Sequence, residues 1–163
     1  LDKLDREFPP TEYEKMEPLY RNILDTYTFR NNQGNFILCW DNGRYVNHSF
    51  NSNCLTTAYD FEIAVRDIQP GEQLTDDYGY LNITHPFRGI DEGTRRKVVY
   101  PDDLLKYSKH WDKKLKDVFH KIPNLKQPLR ELISSELWEE IVEISKGQKQ
   151  MESIQKNFFA GPQ

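Results

Sequence analysis

Hydrophobic positions along the chain follow two different periods. Beyond residue 100 they recur every three or four residues. Leu104, Tyr107, Trp111, Leu115 and Val118 predict a helix opened by Pro101, Asp102 and Asp103. Leu129, Leu132, Ile133, Leu137, Ile141 and Ile144 predict a second, ending at Gly147, and Met151, Ile154 and Phe158 a shorter third. Before residue 100 the period is closer to two. Phe61, Ile63 and Val65 alternate with polar neighbours as on a half-buried strand, Pro70-Gly71 has the two central residues of a type II turn, and Gln73-Leu74-Thr75 returns extended. Tyr27-Thr28-Phe29, an Asn/Gly-rich stretch over 31–35 and an apolar run over 36–40 predict strand, turn, strand.

Upstream, Met16, Leu19, Tyr20, Ile23, Leu24 and Tyr27 have helical spacing, and Pro18 sets the start, which predicts a helix over 18–24; Thr11 and Glu14 are spaced as a capping box. Residues 1–10, ending in a proline pair, read as an irregular lead-in. The chain thus divides into a strand-and-loop core over 1–100 and a helical C-terminal extension over 101–163 that packs on it, with no low-complexity linker between them.

Composition narrows the class. Only 37% of the 163 residues are hydrophobic, yet nine Tyr, nine Phe and three Trp are too many for a disordered polar chain. The apolar run over 36–40 falls far short of the roughly 20 residues a membrane-spanning helix needs. No basic stretch leading into an apolar one opens the sequence, and two cysteines, Cys39 and Cys54, make no disulfide framework. The expectation is a soluble protein of a reducing, cytoplasmic compartment, with nuclear or secreted placement left open. Net charge is -4, and residues 1–99 carry 11 Lys and Arg against 16 Asp and Glu. That acidity argues against direct nucleic-acid binding, which needs a basic surface. It is compatible with a basic, lysine-bearing partner and equally with an ordinary solvated surface.

Two segments concentrate polar chemistry. In Arg44-Tyr45-Val46-Asn47-His48-Ser49-Phe50-Asn51-Ser52-Asn53-Cys54, an amide, an imidazole and a hydroxyl stand side by side, a set able to hydrogen-bond a polar ligand in several directions. In Glu72-Gln73-Leu74-Thr75-Asp76-Asp77-Tyr78-Gly79-Tyr80, two tyrosines flank a glycine that permits close backbone approach. Taken singly, the first reads as a capped loop and the second as a strand end with core aromatics. In order, separated by a predicted strand and a Pro-Gly turn, they resemble the SET domain of protein-lysine methyltransferases, most of all the small stand-alone bacterial members. The resemblance covers residues 27–80.

It implies a mainly β core of the β-clip type, short curved sheets in which the two motif segments cross in a knot-like way, and S-adenosylmethionine bound on one face with a lysine channel opening from the other. Residue by residue, it implies Tyr78 as the catalytic tyrosine, Asn47 and His48 as cofactor contacts, Arg44 bracing the crossing or lying near the cofactor, and Tyr27, Tyr80, Thr56 and Tyr59 as channel positions. The substrate implied is a lysine in a protein or peptide; the alternative is a non-catalytic SET-like module that binds a peptide or partner protein. Three features depart from the family pattern: Ser52 stands where the family has proline, Phe50 replaces the commoner cysteine, and no cysteine-rich segment follows the tyrosine motif. None of the eight glycines lies two positions from another, so the family's Gly-x-Gly cofactor loop is not found in this sequence.

Other constellations stay in the background. The four histidines and two cysteines have no ligand spacing, so no metal site is expected. Asp76 and Asp77 are adjacent on a strand and point oppositely, which predicts one exposed and one supporting the loop. Asn47-His48-Ser49 and Asn82-Ile83-Thr84 match the glycosylation triplet by chance, and Trp111 and Trp138 read as core.

Overall fold

The computed structural model describes residues 5–161. Near the N-terminus, strands β1 (Arg6–Phe8), β2 (Thr28–Arg30) and β3 (Phe36–Leu38) make an antiparallel sheet in the order β1-β3-β2. The β2–β3 hairpin turns at Gly34, whose φ of +83° an L side chain rarely adopts. β1 corrects the expected irregular lead-in, of which residues 1–4 lie outside the described residues; three residues are too few to show a period. Between β1 and β2 lie α1 (Pro10–Tyr13) and α2 (Pro18–Tyr27). The capping box does not form. Pro9 precedes the helix and Pro10 opens it, so Thr11 already lies within the first turn. α2 runs three residues past its expected end, and the Thr28 hydroxyl donates to the Leu24 carbonyl at 2.6 Å in its last turn.

The middle of the chain builds three small ladders. β4 (Asn47–His48) pairs in parallel with β7 (Thr75–Asp76), β5 (Cys54–Thr56) antiparallel with β6 (Glu62–Ala64), and β8 (Phe87–Arg88) antiparallel with β9 (Val98–Val99). The turn before β7 has the expected form. The Glu72 N–H donates to the Gln69 carbonyl at 3.0 Å, and Gly71 has a φ of +84°.

Helix α3 (Asp103–Phe119) turns Leu104, Trp111, Leu115 and Phe119 inward, and α4 (Ser135–Ser145) adds Ile141 and Ile144. These meet Leu55 and Tyr80 from the strand part, with Met151 and Ile154, in one apolar cluster. Fully burying a side chain of this kind is worth roughly 1.5–3 kcal/mol, so the shared cluster couples the tail to the strands. Trp111 is buried there, and Trp138 packs on its edge. The second helix starts later than its apolar spacing suggests. Leu129 and Leu132 are exposed, residues 130–132 form a single 3₁₀ turn, and α4 begins where the Ser134 hydroxyl accepts the Leu137 N–H at 3.2 Å. The third apolar segment is a 3₁₀ turn over Ile154–Asn157. Asn82 fastens the tail, donating to the carbonyls of Arg30 (2.9 Å) and Asn157 (2.8 Å) and accepting the Phe159 N–H at 3.0 Å. Among the described residues, no helix is long and apolar enough to cross a membrane, and no group of three His, Cys, Asp or Glu is placed to hold a metal ion.

Candidate active site

The site grows from the β4–β7 ladder, which sets Asn47 opposite Thr75 and His48 opposite Asp76 and continues with the Ser49 N–H donating to the Asp76 carbonyl at 2.8 Å. Asn53 locks the two segments. It is 1% exposed; its Oδ1 accepts the Thr75 N–H at 2.9 Å, and its Nδ2 donates to the Gln73 carbonyl at 2.8 Å and to Glu72 Oε1 at 3.2 Å. One carboxamide therefore stands in for a neighbouring strand, meeting a donor and an acceptor of the approaching backbone. Glu72 also accepts the Gln69 N–H and pairs with Arg66, and these bonds hold its carboxyl down to about 2.

Past β7 the chain makes a 3₁₀ turn, Tyr78–Tyr80, opened by Asp77, whose Oδ1 accepts the Gly79 N–H at 3.0 Å. Two bonds aim Tyr78. Its N–H donates to His48 Nδ1 at 3.2 Å, and its hydroxyl donates to the Val46 carbonyl at 2.6 Å. That second bond places the phenol oxygen at the residue just before the exposed Asn47. The His48 ring sits among Phe50 (4.4 Å between centroids), Tyr78 and Phe87 (5.4 Å each), and burial lowers its pKa below 6.5. A neutral imidazole is what an accepting Nδ1 requires. The Tyr78 pKa is raised above 10.0, first by burial and then by the charge of Asp76, so the hydroxyl stays protonated.

Residues 3–79 match the SET domain family. That match, over just under half of the chain, supports a SET-domain protein. No curated protein and no solved structure matches it. SET domains are a methyltransferase family, usually acting on lysine in protein or peptide substrates with S-adenosylmethionine, and the short sheets with helices C-terminal to them fit that fold.

The sequence-designated residues of this SET domain separate into two groups. Asn47 and His48 lie on β4 of the ladder, and Tyr78, in the turn after β7, bonds to His48 and to Val46, the residue before Asn47. Arg44 lies in the 3₁₀ turn Asn42–Tyr45 just before it, with its guanidinium 4.8 Å from the Tyr45 ring centroid and its Nε buried without a partner. Tyr27 is exposed and edge-on to Tyr45 at 6.3 Å. Thr56 is half-buried on β5 opposite Glu62. Tyr80 and Tyr59 instead serve the core. Tyr80 is 2% exposed, edge-on to Trp111 at 5.6 Å, with its hydroxyl enclosed. Tyr59 packs near Phe119, and its hydroxyl accepts the Glu152 N–H from the tail at 2.8 Å.

The acidic pair also departs from expectation, since both members are buried, Asp76 at 6% and Asp77 at 2% exposure. β7 ends at Asp76 and Asp77 opens the 3₁₀ turn, so strand alternation does not span the pair. Asp76 lies toward Glu62 and Tyr80, with one carboxylate oxygen buried and unpartnered. Glu62, on β6, lies beside Asp76, and desolvation and the Asp76 charge raise its pKa; burial raises that of Asp76 too. Asp77 pairs with Arg96, a residue that belongs to neither polar motif segment. Both cysteines are free thiols, pushed up to about 11 by burial and so protonated at neutral pH.

Proposed function

We propose that this SET domain transfers a methyl group from S-adenosylmethionine to the side-chain amine of a lysine in a protein or peptide. The observation that carries the reading is the Tyr78 hydroxyl held at the Val46 carbonyl, one residue before the exposed Asn47, where the two motif segments pair. The donor set fits the cofactor. Asn47 offers an amide to its amino-acid end, and the buried, unpartnered Arg44 Nε is a second polar group not satisfied from within the chain. When bound, S-adenosylmethionine supplies an electrophilic methyl on positively charged sulfur.

The nucleophile must be a neutral amine, and free lysine titrates near ~10.4, so deprotonation at neutral pH costs roughly 4 kcal/mol. Tyr78 does not act as the base, because its raised pKa keeps the phenol protonated. Its proton is committed to the Val46 carbonyl, so what it presents to an incoming amine is an oxygen lone pair. Accepting one amine N–H there turns the nitrogen lone pair away from the phenol and toward the reacting carbon. Desolvation by the half-buried walls lowers the amine's pKa and supplies the neutral form.

The test is incubation of the protein with methyl-labelled S-adenosylmethionine and a pool of lysine-containing peptides, read by mass spectrometry. Label on lysine amines supports the reading. Cofactor or peptide binding without any transfer would instead mark a non-catalytic module.

A further inference from the structure

We infer that Arg96 is a positioning residue for Tyr78, and that the helical extension acts on the site through it. The kinetic part of this inference rests on the methyltransferase reading; the structural part does not. Arg96 lies between β8 and β9 and puts both terminal nitrogens on the Asp77 carboxylate: Nη1 on Oδ2, and Nη2 on Oδ1 at 3.0 Å. The same Nη2 reaches Asp103 Oδ2 at 2.7 Å, in the first turn of α3. That carboxylate oxygen also accepts the Tyr100 N–H at 3.0 Å. A buried fork thus joins the residue before Tyr78 to the start of the long helix.

The guanidinium is enclosed by aromatic faces, 4.9 Å from the Phe50 centroid, 4.6 Å from Tyr107 and 5.6 Å from Trp111. Phe50 in turn meets His48 edge-on, so Arg96 touches both motif segments. Gly79 leaves room for it. A Cβ there would come within 2.5 Å of Arg96 Nη2 and 3.1 Å of Asp103 Cβ. The Asp77 carboxylate that Arg96 fixes is the one closing the Tyr78 turn through the Gly79 N–H. If Asp77 swings, the turn shifts, and Tyr78 leaves both His48 Nδ1 and the Val46 carbonyl. Lysine cannot replace the fork, because a single ammonium has no planar pair of donors to span one carboxylate while reaching another.

The test is Arg96→Lys, read three ways: thermal midpoint, the two imidazole ¹⁵N signals of His48, and single-turnover methyl transfer with its dependence on cofactor concentration. In the wild type the His48 signals should report a fixed Nε2–H form with Nδ1 accepting. The variant should stay folded, average its His48 tautomers and transfer methyl about 100-fold more slowly, as expected for displacement of a reacting group by an ångström or so, with an unchanged KM for the cofactor. Asp103→Asn loosens only the helix end of the fork and should shift the same readouts less. It also carries the test if Arg96→Lys does not fold. A folded variant with wild-type His48 signals overturns the inference. If the wild type transfers no methyl to any amine, the methyltransferase reading fails, while the imidazole signals still decide whether Arg96 positions the turn.

Discussion

Replacing Tyr78 with phenylalanine removes one oxygen and leaves the ring in its contacts with His48 and Phe87. The structural loss is the single bond to the Val46 carbonyl. Val46 is half-buried and water can replace the donor, so the cost to stability is about 1 kcal/mol. For a chain of this size that lowers the thermal midpoint by roughly 2–4 °C. The catalytic loss is larger. A pre-aimed polar group that acts on the reacting atoms contributes on the order of 100- to 1000-fold in rate. The two effects therefore separate: Tyr78→Phe should fold, bind S-adenosylmethionine with wild-type affinity and lose most single-turnover methyl transfer. Calorimetry gives the binding, and quenched-flow assay with methyl-labelled cofactor gives the rate. Near-normal transfer by the folded variant would refute the role assigned to the phenol.

Other expectations follow from the same geometry. His48 must be neutral to accept the Tyr78 N–H, and its folded pKa lies below 6.5. Above about 6.5 the ring is neutral folded or unfolded; as pH falls below that, the unfolded chain takes up a proton first, so stability should decline and transfer should fail once the folded ring protonates. A His48→Gln variant whose activity still falls with that acid limb would contradict the assignment. Glu62 and Asp76 have raised folded pKa values, so the stability they contribute is present in acid and lost as pH rises through those values. Glu62→Gln should accordingly raise the thermal midpoint at pH 8 and leave it nearly unchanged at pH 4; an equal shift at both would count against the coupling. Asn53→Ala removes the hydrogen bonds that its carboxamide makes to the backbone of half-buried Thr75 and exposed Gln73 and to Glu72. It should cost about 3 kcal/mol, measurable by urea unfolding, and a loss below about 0.5 kcal/mol would show that the ladder stands without it.

The parts of this structure that were legible in the sequence are those in which a period or a special residue leaves a trace. The alternation of Phe61, Ile63 and Val65, the Pro70-Gly71 turn and the three- and four-residue steps of α3 all announce their elements, and the two polar segments announce the site. What was not legible depends on pairing across distance. β1 is visible only beside β3. The start of α4 was hidden because Leu129 and Leu132 carry a helical spacing that Ser134 overrides by capping the helix further on. Tyr59 and Tyr80 were channel positions only through the resemblance; packing of the tail engages one hydroxyl and encloses the ring of the other. Arg96 gave no local signal, since both of its carboxylate partners lie outside its own loop. The small space beside Gly79 was the one hint that something bulky must pass there.

The most direct test of the central claim is calorimetric titration of S-adenosylmethionine into the protein and into its Asn47→Ala variant. Asn47 is exposed, so its replacement leaves the fold intact. Saturable binding at micromolar concentration in the wild type, weakened at least tenfold in the variant, is the expected result. Wild-type binding that Asn47→Ala leaves untouched, or none in either protein, would contradict a methyl-donor site at the meeting of β4 and β7.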